Sequence, residues 1–208
     1  MKARDNPFRT ECVLKIRYRP VDLGWNGILA RLEAIGYRAA IVGPEGSGKT
    51  TLLEDLAARL GERGFRGRIV RLDRGACSLP RGHVNAIAAE LTKDDVVLVD
   101  GADELGALAW RRFRRATRAA GGLVMTSHKA GRLPTLVECR TTPPLLTEIL
   151  QDLVGVEAAR LEPAAFSLLD EHRGDIRKVL RDLFDLYPTL SSAGAGPLCN
   201  PSSCSPGS

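Results

Sequence analysis

Residues 43–50, Gly-Pro-Glu-Gly-Ser-Gly-Lys-Thr, carry the side chains and the gaps needed to grip a chain of phosphates. Gly43, Gly46 and Gly48 lack the Cβ atoms that would stop the backbone curling with successive N–H groups turned inward. Pro44, Glu45 and Ser47 complete the loop, and Lys49 brings a point charge for the outer phosphates. Thr50 offers a hydroxyl oxygen to Mg²⁺, and Thr51 continues the helix opened at Gly48, whose positive end faces the same anion. A second acidic group follows in "VVLVDGADELG" (96–106). Asp100 ends an apolar run, where a carboxylate beside a phosphate loop can hold Mg²⁺ directly or through water. Either Asp100 or Asp103 could instead cap the next helix. Hydrolysis also needs a group that orients the attacking water. Gly101, next in the chain, has no side chain for it; Asp103 lies three residues on, where one helical turn could bring it back toward the metal, and Glu104 follows as a further candidate.

These residues need a scaffold, and the hydrophobic pattern supplies one. Short apolar strands are expected at 38–43, 67–73, 95–100, 122–128 and 135–142. Helices are expected between them at 48–64, within "GHVNAIAAELT", and across 107–121. Strands alternating with helices predict an α/β fold, a five-stranded parallel sheet sandwiched by helices. A glycine loop leaving a strand and opening a helix is the context of a P-loop NTPase core, here residues 38–142. Ahead of it, residues 1–37 read as a basic arm broken by Pro7 and Pro20, then a helix, both packing on the core. Three amphipathic helices in 143–188, begun at Pro143, near Pro163 and at Asp175, predict a small C-terminal helical lid. Residues 189–208 are rich in Ser, Gly and Pro and are expected to be disordered.

Composition narrows the class. With 44% hydrophobic and 26% charged residues, a core is available without disulfides or metals. The five cysteines form no CxxC pair, and His83, His128 and His172 lie far apart, which argues against structural zinc. An odd cysteine count suits a reducing interior, so a cytoplasmic protein is expected. No stretch could cross a membrane.

"DGADEL" (100–105) resembles the NACHT branch of the signal-transducing ATPases with numerous domains, the STAND class. That resemblance implies Asp100 as the magnesium aspartate and Asp103 as the family's second acid. "LVMTSHK" (123–129) is similar to the sensor strand of the class, with Thr126 or Ser127 placed to meet the terminal phosphate or the water. His128 stands where that class commonly has arginine. "GDIRKVL" (174–180) resembles the second sensor of AAA+ lids and implies that Arg177 reaches the phosphates. Arg132 is the one arginine between the last two strands, where an arginine finger would lie, but the segment is too short for the helix that usually carries one and suits a plain loop arginine. Together these resemblances imply a RecA/AAA+-like core binding ATP and Mg²⁺. ATP is favoured over GTP by resemblance, no guanine-reading Asn-Lys-x-Asp run being present.

The leading expectation is an ATPase that hydrolyses slowly and moves its lid. The alternatives are a nucleotide-dependent switch with negligible turnover, and a nucleotide kinase, whose loops "GPEGSGKT" also resembles. A protein partner or self-association is expected. Arg111, Arg114, Arg115 and Arg118, spaced i, i+3, i+4 and i+7, form a cationic stripe that could track nucleic acid or simply face water.

Overall fold

The computed structural model describes residues 3–20, 23–72 and 86–192. The expected tail beyond 192, Asp73, His83, Cys77, Cys199, Cys204 and the start of the "GHVNAIAAELT" helix lie outside them. Within that helix, residues 86–89 are helical.

Strands β1 (Arg38–Val42), β2 (Arg66–Arg71), β3 (Asp95–Asp100), β4 (Gly122–Ser127) and β5 (Thr135–Glu138) form one sheet. All pairings are parallel, in the order β2-β3-β4-β1-β5. The central strands read as continuous apolar runs because both of their faces are covered. Val96 and Leu98 pack with Ile41 and Val124 under helices α2 (Trp25–Ala34) and α3 (Lys49–Glu62). Val97, Val99 and Met125 face the other way, toward Trp110 and Phe113 of α4 (Ala107–Ala116). Here α1 denotes the short turn Thr10–Val13.

β5 ends at Glu138 rather than at 142. Cys139 N–H still donates to Val42 O, at 2.6 Å, but Thr142 then turns the chain away by capping the next helix through Leu145 N–H. That helix is α5 (Pro143–Val154), followed by α6 (Ala158–Glu171) and α7 (Ile176–Ser192). α6 starts at Ala158, ahead of the start expected near Pro163, so that proline lies inside it. Gly155, at φ +59°, ends α5, and one 3-10 turn leads directly into Ala158. One missing N–H bond is tolerated there because Leu161 and Ala165 bury on either side.

The arm does not pack only on the sheet domain, as expected from sequence; its first half packs on the lid. The cause is Pro188. α7 runs through this proline to Ser192, beyond the expected limit at 188. A proline has no N–H for the carbonyl four residues back, which is Phe184 O. Buried Asn6 supplies the donor instead, Nδ2 to Phe184 O at 2.7 Å. Phe8 then seats edge-on against Tyr187, ring centroids 5.5 Å apart, and Val13 and Ile16 join the lid core. The next residues strap lid to sheet domain. Arg17 pairs with Asp55 of α3 at 2.9 Å, Tyr18 N–H donates to the same carboxylate at 2.8 Å, and Arg19 pairs with Glu148 and Asp152 of α5.

The edge strand β2 is fastened by one buried acid. Asp95 accepts from Thr92 Oγ1 (2.8 Å) and N–H (2.7 Å), from Arg66 at 3.1 Å and from Arg68 at 3.2 Å. The Thr92 hydroxyl is the main reason its pKa falls to about 2, overcoming the opposing effect of burial, with the arginines adding to it. A depressed carboxyl stabilises the fold above its unfolded pKa, near 4, and that share is lost as pH falls toward 2. Asp95→Asn is therefore expected to lower stability at pH 7 by about 2 kcal/mol. It should also flatten the acid limb between pH 4 and 2 in urea titrations. An unchanged limb would contradict this assignment.

Candidate nucleotide site

The loop 43–48 leaves β1 at the carboxyl edge of the sheet, where ligands of open parallel sheets collect. Gly43 is obligatory because a Cβ there would lie 2.5 Å from Cys139 O and 2.7 Å from Ser47 Oγ. Gly46 and Gly48 adopt left-handed backbone, φ +72° and +85°. Ser47 is buried and closes the loop by donating to Pro44 O at 2.8 Å. Lys49 folds back over the loop, its Nζ donating to Gly43 O at 2.9 Å and Pro44 O at 2.6 Å. Burial pushes the Lys49 pKa down, while Asp103, Asp100 and Glu45 act in the opposite sense. The ammonium is thus half-desolvated and close to the acidic pair that the sequence singles out.

Asp100 sits at the end of β3 between two hydroxyls. Thr50 Oγ1 donates to one carboxylate oxygen at 2.9 Å, and Thr126 Oγ1 donates to the other at 2.7 Å. Thr126 in turn accepts from Gly101 N–H at 2.8 Å, and Gly101 itself turns through φ +80°. The residue after Asp100 is therefore a backbone turn and holds no side chain toward the loop. Oxygen ligands from a hydroxyl and a carboxylate suit a hard divalent cation, so Thr50 and Asp100 fit Mg²⁺ by donor type. Among the described residues there is no separate cluster of three or more His, Cys, Asp or Glu for a metal.

Asp103 lies in the 3-10 turn Ala102–Glu104 and reaches across to the end of β4. Ser127 Oγ donates to its Oδ1 at 2.7 Å, while His128 N–H and His128 Nδ1 (2.9 Å) meet Oδ2. Burial acts to raise its pKa, but the bonds from Ser127 and His128 outweigh that and hold it below the usual carboxylate range. Thr126 and Ser127 thus address different acids: Thr126 serves Asp100 and Ser127 serves Asp103. Glu104 is half-buried in the same turn.

The lid reaches the loop through Asp175. Buried Asp175 caps α7, its Oδ1 accepting from the N–H groups of Arg177 (3.1 Å) and Lys178 (3.3 Å). It rests so close to the loop that a Cβ on Gly46 would fall 1.9 Å from that oxygen. Arg177 is exposed and lines a cleft of about 1270 Å³ together with Glu45 of the loop and Arg9 of the arm. Arg132 is not free to act on a neighbour. It donates to Ala102 O (2.6 Å) and Leu105 O (2.7 Å) and lies 5.5 Å above the Trp110 ring.

One part of the site escaped the sequence. Tyr18 of the arm packs its ring 3.5 Å from the would-be Cβ of Gly48. With Ile16, Thr51, Leu145 and Ile176 it lines an apolar notch of about 110 Å³ beside the loop. Nothing in a single basic, proline-broken arm marks Tyr18, since the notch needs three distant segments to meet.

No helix among the described residues is long and apolar enough to cross a membrane. No family model and no curated protein sequence matches the chain. Among solved structures, one of Drosophila ORC bound to DNA is similar over 92% of this chain, at 16% identity and a TM-score of 0.57. The chain spans 60% of that ORC chain. The Thermotoga maritima RuvB Holliday junction branch migration motor aligns with 82% of this chain and 72% of its own, at 18% identity and a TM-score of 0.46. Its P216G mutant gives 83%, 74%, 18% and 0.48. The ORC likeness carries the comparison, and it concerns the fold. With its five parallel strands in the order above and helices on both faces, the chain has the P-loop NTPase fold in the form shared by AAA+ ATPases.

Proposed function

We propose that this chain binds Mg-ATP in the loop 43–51, hydrolyses it slowly, and converts the exchange of nucleotide into movement of the lid. One observation carries the reading. The Thr50 hydroxyl and the Asp100 carboxylate meet at 2.9 Å beside a lysine parked on loop carbonyls. Lys49 can leave those carbonyls for phosphate oxygens, and the loop N–H groups and the start of α3 add positive potential. Thr50 and Asp100 would hold Mg²⁺, which neutralises charge building on the phosphates. The notch under Tyr18 suits the flat, apolar faces of a base, and Arg177 stands at the lid for the terminal phosphate. The Asp-Gly-x-Asp-Glu-Leu run supports a STAND-like variant of the fold, and the free thiols Cys12 and Cys139 suit the cytoplasm.

Slow turnover follows from the acids. Gly101 offers no carboxylate, and both oxygens of Asp103 already accept bonds from Ser127 and His128. Water handling then belongs to the Asp103, Ser127 and His128 group, with Glu104 beside it. The same engagement of Asp103 favours the second reading, a switch with negligible turnover. Single-turnover cleavage of ATP separates them. Wild type should exceed background, with Asp103→Ala slower by about 10- to 100-fold. Equal, near-background rates for both proteins would leave the switch. Solution mass with and without ATP would show whether self-association accompanies either.

A further inference from the structure

The outer face of α4 presents a charge anomaly. Several arginines elsewhere have acids to hand: Arg17 with Asp55, Arg66 and Arg68 with Asp95, Arg71 with Glu54, Arg140 with Glu138. Residues 105–137 instead contain seven lysines and arginines and no acid at all. Arg111, Arg114, Arg115 and Arg118 are exposed, and among the described residues none makes an ion pair. With Arg38, whose Nη2 is steadied by Ala120 O at 3.2 Å, and Leu133, they line an open groove of about 660 Å³. Like charges at i, i+3 and i+4 repel and weaken a helix, so this face is built against its own stability. Trp110 and Phe113 on the inner side compensate by burying against the sheet.

From this geometry we infer that the groove binds the sugar–phosphate backbone of a double-stranded nucleic acid without reading its sequence. The four guanidinium groups, three on α4 and that of Arg118 on the 3-10 turn Thr117–Ala119 that follows it, extend along ~10 Å, about three phosphate steps of one duplex strand. Guanidinium forks match phosphate oxygens two at a time. The groove contains no aromatic ring, because Trp110 and Phe113 face inward, so the stacking platform that a single strand would use is missing from it. No group there has the amide or carboxylate chemistry that reads base edges other than guanine. Binding at this face does not depend on the nucleotide site.

The test is fluorescence anisotropy with the full chain and a labelled 20-base-pair duplex of mixed sequence, as DNA and as RNA, over 50 to 200 mM salt. Contacts to four or five phosphates predict a slope of log K against log salt of about −4, a loss of about 250-fold over that range. The double variant Arg114→Ala/Arg118→Ala, which helix propensity favours, should reduce the slope to about −2. A charge-matched pair elsewhere, Arg63→Ala/Lys93→Ala, should leave the slope unchanged and the affinity within about twofold. Binding of DNA alone, RNA alone or both would each support the proposal and identify the source of the backbone. Absence of duplex binding would overturn it, as would equal losses in the two double variants. So would equally tight binding of phosphatidylserine vesicles or polyglutamate.

Discussion

Substituting Gly46 by alanine is expected to unseat the lid and to cost about 3 kcal/mol of stability. Two causes add. The residue has φ +72°, where a side chain costs about 1 kcal/mol. The new methyl would also lie 1.9 Å from Asp175 Oδ1, 2.5 Å from its Cγ and 3.0 Å from its Cα. Because the last of these is backbone, rotating the aspartate leaves a tight contact, and the start of α7 has to give by a few tenths of an ångström. Its cap on Arg177 and Lys178 N–H is then lost. Gly48→Ala is the internal control: it has φ +85° but its Cβ would meet nothing nearer than a Tyr18 carbon at 3.5 Å. It should lose only about 1 kcal/mol. Urea denaturation of both variants decides the matter. Similar losses would mean that the lid does not bear on the loop.

Lys49→Ala is expected to weaken Mg-ATP binding at least about 100-fold by calorimetry, with stability within about 1 kcal/mol of wild type. The ammonium is half-buried and its carbonyl partners, Gly43 O and Pro44 O, are the loop's own. Exchanging them for phosphate oxygens turns charge–dipole contacts into charge–charge ones in a partly dehydrated place. Each such bond contributes about 1.5–3 kcal/mol, and each 1.4 kcal/mol is tenfold in affinity. An affinity loss under tenfold would remove Lys49 from the phosphate site. Loss of affinity together with collapse of stability would make it a structural residue.

What the sequence disclosed is what depends on local chemistry. A strand, a glycine loop and an amphipathic helix are each encoded within a few residues, and so is the apolar run that carries Asp100 to the sheet edge. The roles of Thr126 and Ser127 were legible as candidates, but not their division between Asp100 and Asp103, which depends on how β3 and β4 align. Other features come only from distant segments meeting. Pro188 reads as a helix end until Asn6 is found on Phe184 O. Arg132 reads as a plain loop arginine, and nothing near it in the chain announces its carbonyl partners Ala102 and Leu105. The contact between Asp175 and Gly46 links positions 129 residues apart, which no periodicity records.

The strand order also sets the timetable of synthesis. β1 is paired on one side by β4 and on the other by β5, so its two edges wait for residues 122–127 and 135–138 to be made. A ribosome that has released the chain only to α4 has exposed a pair, β2 with β3, and an unmated apolar strand bearing the glycine loop. Such late-satisfied edges slow folding and invite wrong partners. The arm waits longer still, since Phe8 has no seat until Tyr187 emerges. A segment made before any strand of the sheet is therefore among the last to settle.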